Sequence, residues 1–198
     1  MKKEETLKGF LRQLIAHIGS GYTNILIVHI PKKKEYKRDR VLTKIRLNYK
    51  TVTTRSQRYY AKKKGFANFQ AISYMNMVVI LHTKGLIKDE IDVSNGFMCF
   101  EKKSSLKLNI SDYLKLVIFR DERNKITVRL DKEIFRDFKS EFDLAYKKKS
   151  GFLYNKLLSR LSHLPPYRGL QLQKILILKY LKQKNKENGV KWDIPYKV

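Results

Sequence analysis

The chain has 198 residues, with 44 Lys and Arg against 18 Asp and Glu, a formal charge of +26 and a pI near 10.1. Hydrophobic residues make up 42% and aromatics 12%, which excludes a disordered basic tail. The single cysteine excludes an internal disulfide framework and a multi-cysteine zinc site, and no apolar run approaches the roughly 18 residues of a membrane span. A folded, soluble, very basic protein is expected.

Thr6 reads as the N-cap of a helix over 6–18, in which Leu7, Phe10, Leu11, Leu14, Ile15 and Ile18 fall at helical spacing. Gly19-Ser20-Gly21 breaks it, and Tyr22 to Ile30 then forms an apolar, β-branched strand closed by Pro31. Residues 35–48 predict a basic helix with Val41, Leu42 and Ile45 inward, followed by an extended stretch from Thr51 to Thr54. A short helix over 56–64 ends at Gly65, and Phe69 to His82 reads as one long strand.

Residues 88–130 read as antiparallel strands, with Asn95-Gly96 as a hairpin signal and Asp121-Glu122-Arg123-Asn124 as a polar turn. From Asp131 the period becomes helical, through Ile134, Phe135, Phe138, Phe142 and Ala145. Two more helices are expected at about 152–163 and 168–186, parted by Pro165-Pro166. In the last, Leu170, Ile175, Leu178 and Leu181 form the apolar stripe, and Trp192 docks the tail. The fold class is α+β: a mixed or antiparallel sheet with an N-terminal helix and a C-terminal helical extension. A core domain is placed at 1–150 and a basic helical extension, packed on the same domain, at 151–198.

The charge is unevenly spread. Residues 31–70 carry fourteen basic side chains against Glu35 and Asp39, and 144–198 carry thirteen against Glu187 and Asp193. The intervening 71–143 is nearly balanced. Two blocks of like charge repel unless a polyanion lies against them, so nucleic acid, DNA or RNA, is the expected partner. A membrane surface is not, because no basic helix carries Trp or Phe along one clean face.

The densest candidate segment runs from Thr53 to Phe69. Here Arg55, Arg58, Lys62, Lys63 and Lys64 supply phosphate contacts, while Tyr59, Tyr60 and Phe66 offer faces for base stacking. In the second block Lys147, Lys148, Lys149 and Lys182 are point charges for phosphate, as are Lys174, Lys179, Lys184 and Lys186. The two C-terminal helices could form a helix-turn-helix, but packing on a sheet is the preferred reading.

Enzymatic readings are weaker. Asp92 and Glu101-Lys102-Lys103 match the loose D…E-x-K spacing of metal-dependent nucleases, with Asp92 and Glu101 as Mg²⁺ ligands and Lys103 supporting the attacking water. The same E/D-x-K pattern recurs at Glu35 and Asp137. A histidine–tyrosine nicking site would need two neighbouring histidines, for which only a pairing of His29 with His82 across strands offers itself. No phosphate loop, nucleophile elbow, zincin motif, zinc finger or complete RNP1 motif occurs. Cys99 reads as a small buried hydrophobe.

The leading expectation is a nucleic-acid-binding protein, not an enzyme and without a cofactor, acting through 31–70 and 144–198; a mobile element, plasmid or phage origin suits the composition. A metal-dependent nuclease and a ribosomal or ribonucleoprotein component are the alternatives. Glu4, Glu5, Arg12 and Gln13 interrupt any signal-peptide pattern, so a cytoplasmic, nucleoid- or ribonucleoprotein-associated setting is expected.

Overall fold

The computed structural model describes residues 2–4 (backbone only), 6–88, 90–94, 96–101 and 105–195. Its contacts divide the chain into two compact units, Met1–Ser104 and Ser105–Val198. The helices after 150 lie in one unit with 105–150. The first unit holds 22 Lys and Arg against 8 Asp and Glu, the second 22 against 10, so both are strongly basic.

The first unit begins with β1 (Lys2–Glu4) and α1 (Leu7–Gly19). Thr6 caps α1, its hydroxyl accepting from the Gly9 amide at 3.1 Å. Phe10, Leu11, Leu14 and Ile18 are fully buried, each contributing about 1.5–3 kcal/mol of burial free energy. Next come β2 (Asn24–His29), a 3₁₀ turn (Lys32–Lys37), α2 (Arg38–Asn48) and α3 (Arg55–Lys63). The expected helix over 35–48 is thus split, its first residues wound tightly behind Pro31.

The expected single strand over 69–82 is a hairpin, β3 (Phe69–Tyr74) and β4 (Met77–His82). Met75 turns the chain at φ 49°, and the Asn76 carbonyl accepts from the Ile30 amide at 2.7 Å. All six residues of β4 are buried, so no polar alternation marks where the strand begins. The short β5 (Met98–Cys99) pairs with β2.

The sheet order is β1-β3-β4-β2-β5, parallel at β1–β3 and otherwise antiparallel. Residues 90–94 hold no strand, and Asn95 lies outside the described residues, so the hairpin expected there reduces to Gly96 at φ +81°. Leu42 and Ile45 of α2 share a cluster with Val78 and Ile80 of β4. By strand alternation Val79 and Leu81 face the opposite side of the sheet. Phe10 of α1 stacks on Tyr74 of β3 at 5.5 Å.

The second unit is a three-stranded antiparallel meander, β6 (Ser105–Ser111), β7 (Leu114–Arg120) and β8 (Ile126–Leu130), followed by α4 (Lys132–Lys147), α5 (Gly151–Ser162) and α6 (Arg168–Asn188). Leu106, Leu108, Leu116, Ile118, Val128 and Leu130 alternate onto one buried face. Helix α6 packs on β8 with Gly169 at the crossing: a Cβ there would lie 2.5 Å from the Val128 carbonyl oxygen. The Gly169 amide donates to Thr127 Oγ1 at 3.0 Å.

Trp192 docks the tail as expected, 4.7 Å from the rings of both Tyr146 and Tyr154, and its carbonyl accepts from Asn185 Nδ2. The buried stripe of α6 is Leu170, Lys174, Ile177 and Leu181, whereas Ile175 is exposed. Lys174 is therefore not among the surface lysines. Its Nζ donates to the carbonyls of Ser162 and Leu164 at 3.3 and 3.0 Å, at the end of α5.

Candidate nucleic-acid interface

Helix α2 has a second face besides the one that meets the core, and α3, which buries no residue, also lends one face to the same hollow. On α2 it is Thr43, Arg46, Leu47 and, just beyond the helix, Lys50, at spacings of three and four. On α3 it is Ser56, Gln57, Tyr60 and Ala61, with Thr53 before the helix and Lys64 as its C-cap, at the same period. Between these faces lies a groove of about 940 Å³, closed below by Tyr49, Phe66 and Phe69. Within the first unit it is the natural place for a ligand of nucleotide size, since small-molecule pockets run to about 300–1,000 Å³.

Local chemistry holds the walls. Thr54 and Gln57 form a capping box: Thr54 Oγ1 accepts from the Gln57 amide, and Gln57 Oε1 accepts from the Thr54 amide. At the other end of α3 the chain is laced to the residues after β4. The Leu86 amide donates to the Gly65 carbonyl and the Ala67 amide to the Leu86 carbonyl, both at 2.8 Å. Gly85, at φ +145°, makes this approach possible, because a Cβ there would sit 2.7 Å from the Ala67 nitrogen. Non-local backbone pairing thus sets α3 beside α2.

The groove carries Arg46, Lys50, Lys64 and Lys88 and no carboxylate among its lining residues. Lys50 pairs with Glu90 outside the lining, and its hydrogen bond, reinforced by its charge, holds the Glu90 carboxyl below the usual range. Lys88 Nζ stands over the Phe66 ring at 5.7 Å. Burial, with the nearby Asp92 carboxylate, pushes the Tyr49 phenol up. Apolar surface is nonetheless left open to water: Leu47 is 70% exposed, Val52 69% and Tyr60 59%.

The sequence-derived candidates fall into place unevenly. Tyr60, Lys64 and Phe66 line the groove. Tyr59 does not, but it is 63% exposed and its ring meets Tyr60 edge-on at 5.5 Å. Arg55, Lys62 and Lys63 are exposed on α3. Arg58 is half-buried, its Nη1 donating to the Thr53 carbonyl at 2.6 Å while its own carbonyl accepts from Asn68 Nδ2. It braces the turn into α3. Arg46, Leu47, Tyr49, Lys50, Val52 and Lys88 were not singled out from the sequence; the available signal was Leu47, an apolar residue off the core face of α2.

In the second unit Lys147, Lys148 and Lys149 are exposed at the C-terminus of α4, with Lys149 at φ 47°. Cations there also complement the helix dipole. Lys182 is exposed on α6. Helix α5 packs on α4, and α6 on both α4 and β8, in keeping with the packing reading of the helix pair.

Asp92 Oδ1 accepts from the amide and hydroxyl of Ser94, which hold its carboxyl below the usual range. Glu101 accepts from Cys99 Sγ and pairs with Lys84 at 3.8 Å, and Lys103 lies outside the described residues. Among the described residues no group of three or more His, Cys, Asp or Glu gathers as a metal site. His29 stands opposite Met77 and His82 opposite Asn24, at the two ends of the β2–β4 pair, so they do not meet. Cys99, expected to be buried, is exposed on the edge strand, since β5 has no neighbour beyond it.

No helix among the described residues is long and apolar enough to cross a membrane. No family model, no curated protein and no solved structure matches this chain.

Proposed function

We propose that this protein binds nucleic acid, with residues 31–70 as the principal contact and the lysines of 144–198 as additional phosphate contacts. The observation that carries this reading is the groove between α2 and α3, which combines four cations, no lining carboxylate and an exposed tyrosine. Lys and Arg release condensed counterions when they meet phosphate, and aromatic faces add base stacking of about 1–3 kcal/mol. The excess of basic side chains in both units favours a long polyanion over a small anionic metabolite. DNA and RNA both satisfy these contacts.

The test is direct. Protein freed of nucleic acid by nuclease and high salt is titrated against labelled DNA and RNA oligonucleotides at low ionic strength. Dissociation constants tighter than about 10 µM are expected, given the typical strength of non-specific binding at higher salt. Failure to bind any of them refutes the proposal. Sequencing what co-purifies then separates a DNA-associated role from a ribonucleoprotein role.

A further inference from the structure

We infer that the α2–α3 groove is a seat for unpaired bases, so that the preferred ligand is single-stranded and is held with little regard to sequence. This rests on the nucleic-acid reading above. It comes from two surfaces of opposite character placed side by side.

The walls are apolar and wet. Leu47, Val52 and Tyr60 line the groove and are largely exposed, and such surface gains from contact only with another apolar surface. The cations beside them ask for anions instead. A duplex turns its phosphates and sugars outward and keeps its base faces stacked inside. Docked here, it would satisfy Lys64 and Lys88 and leave Leu47, Val52 and Tyr60 uncovered. A single strand offers both chemistries at once, a phosphate per nucleotide and a flat apolar face per base.

The polar groups of the groove explain the tolerance. Gln57 Oε1 is spent on the Thr54 amide, and Asn68 Nδ2 on the Arg58 carbonyl. With these two atoms engaged within the protein, the open apolar faces are the groove's main contact for a base, and faces are recognised before edges. Anionic lipid would also bring charge and apolar bulk together. The polar side chains of Thr43, Ser56 and Asn68 along the walls are poor surface for an acyl chain.

The experiment uses the full chain and fluorescence anisotropy with a labelled mixed-sequence single strand, the same strand closed into a hairpin duplex, and oligothymidylate. Vesicles of phosphatidylcholine with phosphatidylglycerol form a further arm. The single strand is expected to bind at least about tenfold tighter than the duplex, with oligothymidylate close to the mixed strand. Tyr60→Ala is expected to weaken the single strand by about 5- to 150-fold, the worth of one stacked base, and the duplex by less than about twofold. Tyr60→Phe, which keeps the face, retains binding. Tyr113→Ala changes neither ligand, since Tyr113 is exposed but lies outside both basic segments and outside the groove.

Thermal unfolding of each variant confirms that the fold is kept. Equal affinity for single strand and duplex, or equal losses in Tyr60→Ala on both, overturns this inference while leaving nucleic-acid binding intact. Binding to neither oligonucleotide, with or without binding to vesicles, overturns both.

Discussion

Removing charge from the groove should change how binding depends on salt, not only how tight it is. Each phosphate contacted on a single strand contributes about −0.7 to the slope of log affinity against log salt. Arg46, Lys50, Lys64 and Lys88 line the groove, so four contacts predict a slope contribution of about −2.8. Lys50 must give up Glu90 to take part, which would reduce this to about −2.1 if it stays paired. The perturbation is the double variant Lys64→Gln, Lys88→Gln; among the described residues neither lysine forms an ion pair, and Lys88 acts on the Glu90 carboxyl only through its charge. The slope should become shallower by about 1.4.

Anisotropy titrations of a short single strand, run from about 50 to about 300 mM KCl, measure it. Groove contacts alone predict an affinity loss of roughly 150-fold across that range for the wild type and about 12-fold for the variant. Cations outside the groove, such as Lys62 and Lys63, steepen both lines equally and leave the difference intact. A slope unchanged in the double variant would refute the placement of phosphates along this groove, whatever the absolute affinity.

His82 is buried between Phe69 and Phe97, each ring 4.9 Å away, and burial holds its imidazole below the ordinary 6.5 even though Nδ1 meets the Thr83 carbonyl. A depressed folded value means that the folded state binds protons less readily than the unfolded chain. Stability is therefore complete above about pH 6.5 and is lost as the pH falls through the folded value. Thermal unfolding between about pH 7.5 and pH 5 should show this decline, and His82→Phe should flatten it; an identical decline in both would assign it elsewhere. Lys174, only 2% exposed, is also held below its ordinary 10.5 by burial, so its contribution has the same sign but falls in the alkaline range. Stability should rise between its lowered value and 10.5, and Lys174→Met should lack that rise. At neutral pH the same variant leaves the carbonyls of Ser162 and Leu164 without their donor, a loss of about 1–3 kcal/mol in urea unfolding; a more stable Lys174→Met would refute the capping role.

Much of the fold was legible because most elements bury a single face. The spacing of Phe10, Leu14 and Ile18 located α1, and that of Ile134, Phe138, Phe142 and Ala145 located α4, since burial leaves its period in the residues. Where that condition fails, so does the reading. β4 is buried on both sides, carries no alternation, and so ran together with β3 across a Met-Asn turn that lacks the usual glycine. Lys174 occupies a core position by spacing, four residues after Leu170 and three before Ile177. Its charge argued for the surface, and only the carbonyls at the end of α5 make the burial tolerable.

The groove was half-legible for a related reason. Charge and aromatic content are properties of segments, and they pointed to 55–69. The opposite wall is a property of pairing at a distance: Leu86 and Gly85 fix where α3 ends, and α2 is fixed by its own contacts with β4. The second face of α2 is assembled by neither alone. An exposed leucine on a lysine-rich helix is ordinary surface when read singly. Leu47 beside Val52, facing Tyr60 with four cations around them, is a surface whose apolar and charged parts call for one ligand that answers both. On the proposed reading, the choice between single strand and duplex therefore turns on Tyr60 and Leu47 rather than on the lysines.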